Sequence, residues 1–235
     1  SPDGTRVLTG ASESAGRIWD TNTGELVLHL ARQREQIDSA QFSPDGKLIV
    51  TMDHTGTACL WDAVSGERAR PYLQAHDYDA RWIPSRDFKL TPTACFSPDG
   101  KLLATAWGSK SAVIWDPGTG RLLRALPHDQ GVHHVAFSRD GRYLVTSGLD
   151  RRAKTWDTET GKPAGPPLQH AFRVDWSEFS PDGQSLMTVS QRRGVQVWDW
   201  RKGQPAGPAI KHDFAIFHAS FSPDGRRILT ASWDM

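Results

Sequence analysis

A short motif returns along this chain with a nearly fixed period. A Ser-x-Asp-Gly turn ends at Gly4, Gly46, Gly100, Gly141, Gly183 and Gly225, at intervals of 42, 54, 41, 42 and 42 residues. Fifteen residues after each of the first five glycines stands a Trp-Asp pair, at Trp19, Trp61, Trp115, Trp156 and Trp198. Five residues after each of these tryptophans comes another glycine: Gly24, Gly66, Gly120, Gly161 and Gly203. Three spacings held together in this way mark a repeat architecture, in which each unit buries its apolar face only by stacking on its neighbours.

Each unit reads as strands. The third residue after each turn glycine is Val7, Ile49, Leu103, Leu144, Leu186 or Ile228, and the fifth is Thr9, Thr51, Thr105, Thr146, Thr188 or Thr230. Positions two apart share one face of a strand, so the apolar residue and its threonine lie together. The runs before the tryptophans, such as Ala58-Cys59-Leu60 and Ala112-Val113-Ile114, are continuous rather than alternating. That pattern predicts strands covered on both faces. Asp-Gly and Thr-Gly pairs supply the positive φ of tight hairpins. Pro163, Pro166, Pro167, Pro205 and Pro208 follow the Trp-Asp hairpins, and proline cannot donate to a ladder, so these segments belong at sheet edges.

The unit Phe-Ser-Pro-Asp-Gly, Leu-x-x-Thr, Trp-Asp-x-x-x-Gly resembles the WD40-repeat β-propeller family over essentially the whole chain. The resemblance implies an all-β fold of four-stranded blades, strands a to d from centre to rim, around a central channel. It implies about five visible blades in a partial or open ring, with repeats at approximately 1–32 (partial), 33–75, 76–127, 128–169, 170–211 and 212–235 (partial), in a piece of a longer chain. Unpaired strand edges are then expected at both ends. It places the d–a loops and b–c turns on one face, the top. It also implies a structural tetrad, carried in full by His128, Thr146, Asp150 and Trp156. Elsewhere the Asp position holds Glu13, Thr55, Ser109 and Arg192, which reads as incomplete tetrads. His170 and His212 stand at the His position in their blades, with Gln33 and Asp87 in the other two.

Composition narrows the function. Lys+Arg number 28 and Asp+Glu 27, a formal net charge of +1, which does not favour bulk nucleic-acid binding. No apolar run approaches the length needed to span a bilayer. Cys59 and Cys95 make no disulfide framework and read as buried thiols. There is no phosphate loop, no His-Glu-x-x-His and no Gly-x-Ser-x-Gly, and Gly118-Thr119-Gly120 is a hairpin turn. His133-His134 reads as two top-face histidines at the start of a strand, pointing to opposite sides unless a bulge intervenes, and so not as a metal pair.

Three groups of residues are candidates for binding a partner. The 54-residue interval contains an insertion of about 12 residues against the period, between Tyr72 and Phe96. By register it is a d–a loop on the top, and its Tyr78, Arg81, Trp82 and Arg86 are residue types enriched in binding hot spots, although Trp82 could equally cover a blade end. Arg151-Arg152 and Arg192-Arg193 occupy equivalent b–c turns, where guanidinium groups would suit a carboxylate or phosphate, or be simply solvated. Trp176, Phe217 and Trp233 come from the last two blades; the two expectations for them are a top-face aromatic patch and packing against missing ring neighbours.

The expected function is a non-catalytic scaffold presenting top-face loops to a protein or peptide, with no cofactor, no metal and no membrane, and a cytoplasmic setting favoured. Missing blades or domains of the parent chain are further expected partners. The wording of the repeats resembles bacterial members of the family, where a propeller serves as the sensor or docking part of a longer chain. The alternatives are the regulatory propeller of a Ser/Thr protein kinase whose catalytic domain lies elsewhere, and an enzyme using Asp175, Glu178 and His218 in the channel.

Overall fold

The computed structural model describes residues 1–10, 16–30, 33, 35–53, 55–73, 93–190 and 194–232, and the side chain of Phe217 is not described. Among the described residues all regular structure is strand, arranged in six antiparallel sheets. Blade 1 holds β1 (Arg6–Gly10), β2 (Gly16–Asp20) and β3 (Leu26–His29). Blade 2 holds β4 (Ile37–Phe42), β5 (Leu48–Asp53) and β6 (Ala58–Asp62). Blade 3 holds β7 (Thr93–Phe96), β8 (Leu103–Ala106), β9 (Ser111–Asp116) and β10 (Arg121–Pro127). Blade 4 holds β11 (Val132–Phe137), β12 (Tyr143–Gly148), β13 (Arg152–Asp157) and β14 (Leu168–Gln169). Blade 5 holds β15 (Val174–Phe179), β16 (Leu186–Ser190), β17 (Gly194–Asp199), β18 (Gln204–Pro205) and β19 (Ile210–Lys211). Blade 6 holds β20 (Ile216–Phe221) and β21 (Ile228–Ser232).

Local chemistry explains the turns. In blade 2 the Ser43 hydroxyl donates to Asp45 Oδ1 at 2.6 Å, the Lys47 amide donates to the same oxygen at 3.1 Å, and Gly46 turns at φ 69°. A residue with a Cβ would be strained at that φ, which is why glycine closes the turn. The Trp-Asp aspartates act in the same way: Asp62 Oδ1 accepts the amides of Val64 at 2.9 Å and Ser65 at 2.7 Å. These amides hold Asp62 below the usual carboxylate range. The repeated aspartates therefore shape turns.

Packing follows from strands apolar on both sides. Ile49, Cys59 and Trp61 pack toward Ile18 and Leu30 of blade 1, while Val50, Met52, Ala58 and Leu60 pack toward Phe96, Leu103 and Trp115 of blade 3. The same alternation builds a core between each later pair of neighbouring blades. The end blades show what stacking contributes. Leu229 is 69% exposed, whereas Val50, Val145 and Met187, at the same position of the repeat, are 0% exposed. Val7 is 48% exposed, whereas Ile49, Leu103, Leu144 and Leu186 are 0%. Burying such a side chain is worth about 1.5–3 kcal/mol, so the outward faces of blades 1 and 6 lack that stabilisation.

The outer strands record the prolines. β10, free of internal proline, runs seven residues, while β14, β18 and β19 are two residues each.

Candidate functional site

Beneath the top face each blade carries a polar relay. In blade 4 the Trp156 indole Nε1–H donates to Thr146 Oγ1 at 2.8 Å, and Thr146 Oγ1 lies 2.7 Å from His128 Nε2. His128 Nδ1 lies 2.9 Å from Asp150 Oδ2. The indole fixes the direction: Thr146 accepts from Trp156 and donates to Nε2, leaving Nδ1–H to donate to the carboxylate. Burial pushes His128 down, and the hydrogen bond that its Nδ1–H gives to Asp150 does not cancel that shift. Burial pushes Asp150 up, but its bonds with His128 and with the Asp129 and Arg152 amides hold it below the usual carboxylate range. Every polar atom on this line is used in tying strands together.

Blade 2 makes the same line with different residues, which corrects the reading of its tetrad as incomplete. Trp61 Nε1–H donates to Thr51 Oγ1 at 2.7 Å, and Thr51 donates to Gln33 Oε1 at 2.6 Å. Gln33 Nε2 donates to Asp53 Oδ2 at 3.0 Å. The amide supplies one acceptor and one donor, as the neutral imidazole does. The carboxylate comes from two residues after the threonine rather than four. In blade 4 the two-residue position is Gly148, where a Cβ would stand 2.8 Å from the Gly131 carbonyl oxygen, so no side chain fits and Asp150 serves instead.

The other blades keep part of the line. Trp19, Trp115 and Trp198 each donate to their threonine at 2.8 Å, and His212 Nε2 lies 2.9 Å from Thr230 Oγ1. In blade 5 the His170 ring packs edge-on to Trp198 at 5.0 Å, and burial pushes it down to about 4. Arg192 in its b–c turn lies outside the described residues.

The predicted binding residues fall into separate places. Arg151 sits on the top with φ 64°, exposed, its carbonyl accepting the His170 amide at 2.9 Å. Arg152 donates to Asp129 Oδ2 and to Gln169 Oε1 at 3.0 Å. Tyr78, Arg81, Trp82, Arg86, Arg193 and Trp233 lie outside the described residues.

Of the expected aromatic patch only the Trp176 side chain is described, since Trp233 and the side chain of Phe217 lie outside the described residues. The ladder shifts register between Val174 and Trp176, and in blade 6 between Ile216 and His218, so the position matching Trp176 is His218 and not Phe217. The Trp176 ring stacks 4.2 Å from His134 and 6.2 Å from His218. It lines a recess of ≈ 550 Å³ along the inner strands, with Ser39, Gln41, Thr93, Cys95 and His134 around it. A bulge between Val132 and His134 turns both histidines inward, at 2% and 3% exposure, which corrects their expected place on the surface. Burial pushes His133 down to about 4 and His134 to about 3. Among the described residues no group of three or more His, Cys, Asp or Glu side chains is arranged to hold a metal.

Cys59 is buried. Cys95 is half-buried as a residue, and burial of its thiol pushes it up to about 12, which disfavours the thiolate. Of the channel acids, Asp175 is paired with Arg173 at 2.8 Å, and Glu178 is pushed up by burial.

Two exposed aromatics were missed by sequence reasoning. Phe172 and Phe214 follow a d–a loop histidine by two residues, and are 57% and 58% exposed. The signal was His-x-Phe, present at His170 and again at His212.

The family described as "WD40: WD domain, G-beta repeat" matches residues 24–62, 92–116, 120–157 and 209–235, more than half of the sequence. The chain belongs to the WD40 family. It is 30% identical over 111 residues, 47% of its own length, to the human WD repeat and SOCS box-containing protein 1, of which it covers 24%. It is 28% identical to the nuclear distribution protein PAC1 of Arthroderma otae over 58% of its length and 32% of that protein. It is 24% identical to a guanine nucleotide-binding protein subunit beta of Nicotiana plumbaginifolia over 54% of its length and 32% of that protein. This WD40 chain thus spans about a quarter to a third of these relatives. Among its described residues no helix is long and apolar enough to cross a membrane.

Proposed function

We propose that the chain is a non-catalytic interaction scaffold, a rigid blade array that presents d–a loops and b–c turns to a protein or peptide. The observation that carries this is the division of labour between polar groups. The ionisable residues that could do chemistry, His128 and Asp150, are buried in relays that join strands, while Arg151, Phe172 and Phe214 are exposed on the top. The names of the WD40 relatives accord with it, since one combines WD repeats with a SOCS box and another is a G-protein subunit. We extend the reading to a cytoplasmic docking or sensor part of a larger bacterial protein, for which the attached domain could be a Ser/Thr kinase. Missing blades would dock on the exposed faces of blades 1 and 6, where Val7 and Leu229 await cover.

Channel catalysis is the second reading. It is favoured by Glu178, raised by burial beside His218.

Capture of partners from a lysate of the source organism tests the first. Trp82→Ala, and separately Arg151→Gln with Arg152→Gln, should leave the unfolding curve unchanged and reduce capture at least several-fold. Capture unchanged in both variants would refute the assignment of these residues. No protein retained by the wild type would refute the scaffold reading.

A further inference from the structure

The two exposed phenylalanines are equivalent residues of consecutive repeats, and the structure holds their loops in the same way. The Ser190 hydroxyl donates to the carbonyls of Phe172 at 3.3 Å and Arg173 at 2.9 Å. The Ser232 hydroxyl donates to those of Phe214 at 3.2 Å and Ala215 at 3.1 Å. Each serine is the last residue of its strand b, so the loop backbone is pinned to the sheet with its phenylalanine facing solvent.

The exposure of Phe172 does not come from a lacking neighbour, because its blade has one on either side. The equivalent positions of blades 2 and 4 hold Glu35 and Gln130, both exposed, as expected where a loop serves only as a connection. A large apolar ring held out on a rigid loop twice in succession is costly to keep exposed unless something covers it. Pinning also lowers the ordering cost of association.

Charge indicates what covers it. The Arg151-Arg152 turn lies against the loop of Phe172, since the Arg151 carbonyl accepts the amide of His170. Arg151 is exposed, Arg152 is partly engaged by Asp129, and Lys211 stands near Phe214 in sequence, with Asp213 as the opposing charge.

We propose that the top of blades 4 to 6 docks an acidic protein segment carrying two apolar side chains, one seated on Phe172 and one on Phe214, with Arg151 and Arg152 of the blade 4 turn meeting its carboxylates. This rests on the scaffold reading and gives its partner a chemical class.

The test uses the full chain and a series of fluorescein-labelled synthetic peptides. Each has two leucines or two phenylalanines at varied spacing in an Asp/Glu-rich background; controls have serine for the apolar pair or glutamine for the acids. Fluorescence anisotropy should show binding at one or more spacings and at least tenfold weaker binding for either control. Phe172→Ser with Phe214→Ser should weaken binding at least tenfold while leaving the thermal unfolding curve in place, a loss of about 1.4 kcal/mol or more. Arg151→Gln with Arg152→Gln should weaken it several-fold and flatten its salt dependence. No peptide binding to the wild type, or equal binding by the phenylalanine double variant, would overturn the proposal. A protein partner captured equally by wild type and that variant would leave the scaffold reading standing and end this one; capture of nothing would end both.

Discussion

Blades 2 and 4 solve one problem with different residues. Each must satisfy an indole N–H, a hydroxyl and a carboxylate under the top face. Blade 4 uses the imidazole of His128 and blade 2 the amide of Gln33, and the hydroxyl stands 2.7 Å from the first and 2.6 Å from the second. The carboxylates enter from different sequence positions because Gly148 leaves no room for a Cβ. The blade therefore selects for a pattern of donors and acceptors, and residue identity is secondary. What the swap changes is titration, since an amide has no proton to gain.

If the relays are equivalent, removing the shared hub should cost the same in each. Thr51→Val and Thr146→Val leave an indole N–H and either an amide oxygen or an imidazole nitrogen without partners. At about 1–3 kcal/mol for each buried group left unsatisfied, each variant should lose about 3 kcal/mol. Urea unfolding of the two variants reads this directly. A large loss in one and a negligible loss in the other would break the comparison. The next effect is smaller. Gly148→Ala should destabilise by about 2 kcal/mol through its clash with the Gly131 carbonyl, whereas Asp53 already carries a Cβ at the matching site. A neutral Gly148→Ala would remove the reason for the displaced carboxylate.

The fold was legible because its signals are redundant. The period, the turn glycines and the threonine–tryptophan pairing all report one constraint, the need of each sheet to bury both faces. The relays were only half legible. His128 and Asp150 lie where the family pattern puts them; Gln33 stands at the His position with a different side chain, and Asp53 serves from a position the pattern does not use. The residue matching Trp176 was legible only from the ladder: the register shift recurs at the start of β4, β11, β15 and β20, and it aligns Trp176 with His218 rather than Phe217. Phe172 and Phe214 were legible in principle, as the same dipeptide spacing in two repeats, but exposure is a property of the assembled surface.

Acid should separate the two relays by the smallest measurable margin. His133 and His170 are pushed down to about 4 and His134 to about 3, all by burial, and His128 is lowered as well. Unfolded imidazoles titrate near 6.5, so as pH falls from there toward 4 the unfolded chain binds more protons than the folded one. Stability is thus complete above the unfolded value and is lost through this window. His128→Gln would turn the blade 4 relay into the blade 2 type and remove one of these groups. Gln33→His would do the reverse. Urea midpoints measured at about pH 7 and about pH 5 should differ less in the first variant than in the wild type, and more in the second. Equal differences in all three chains would mean that His128 takes no part in the acid response, and that the two relays differ in sequence alone.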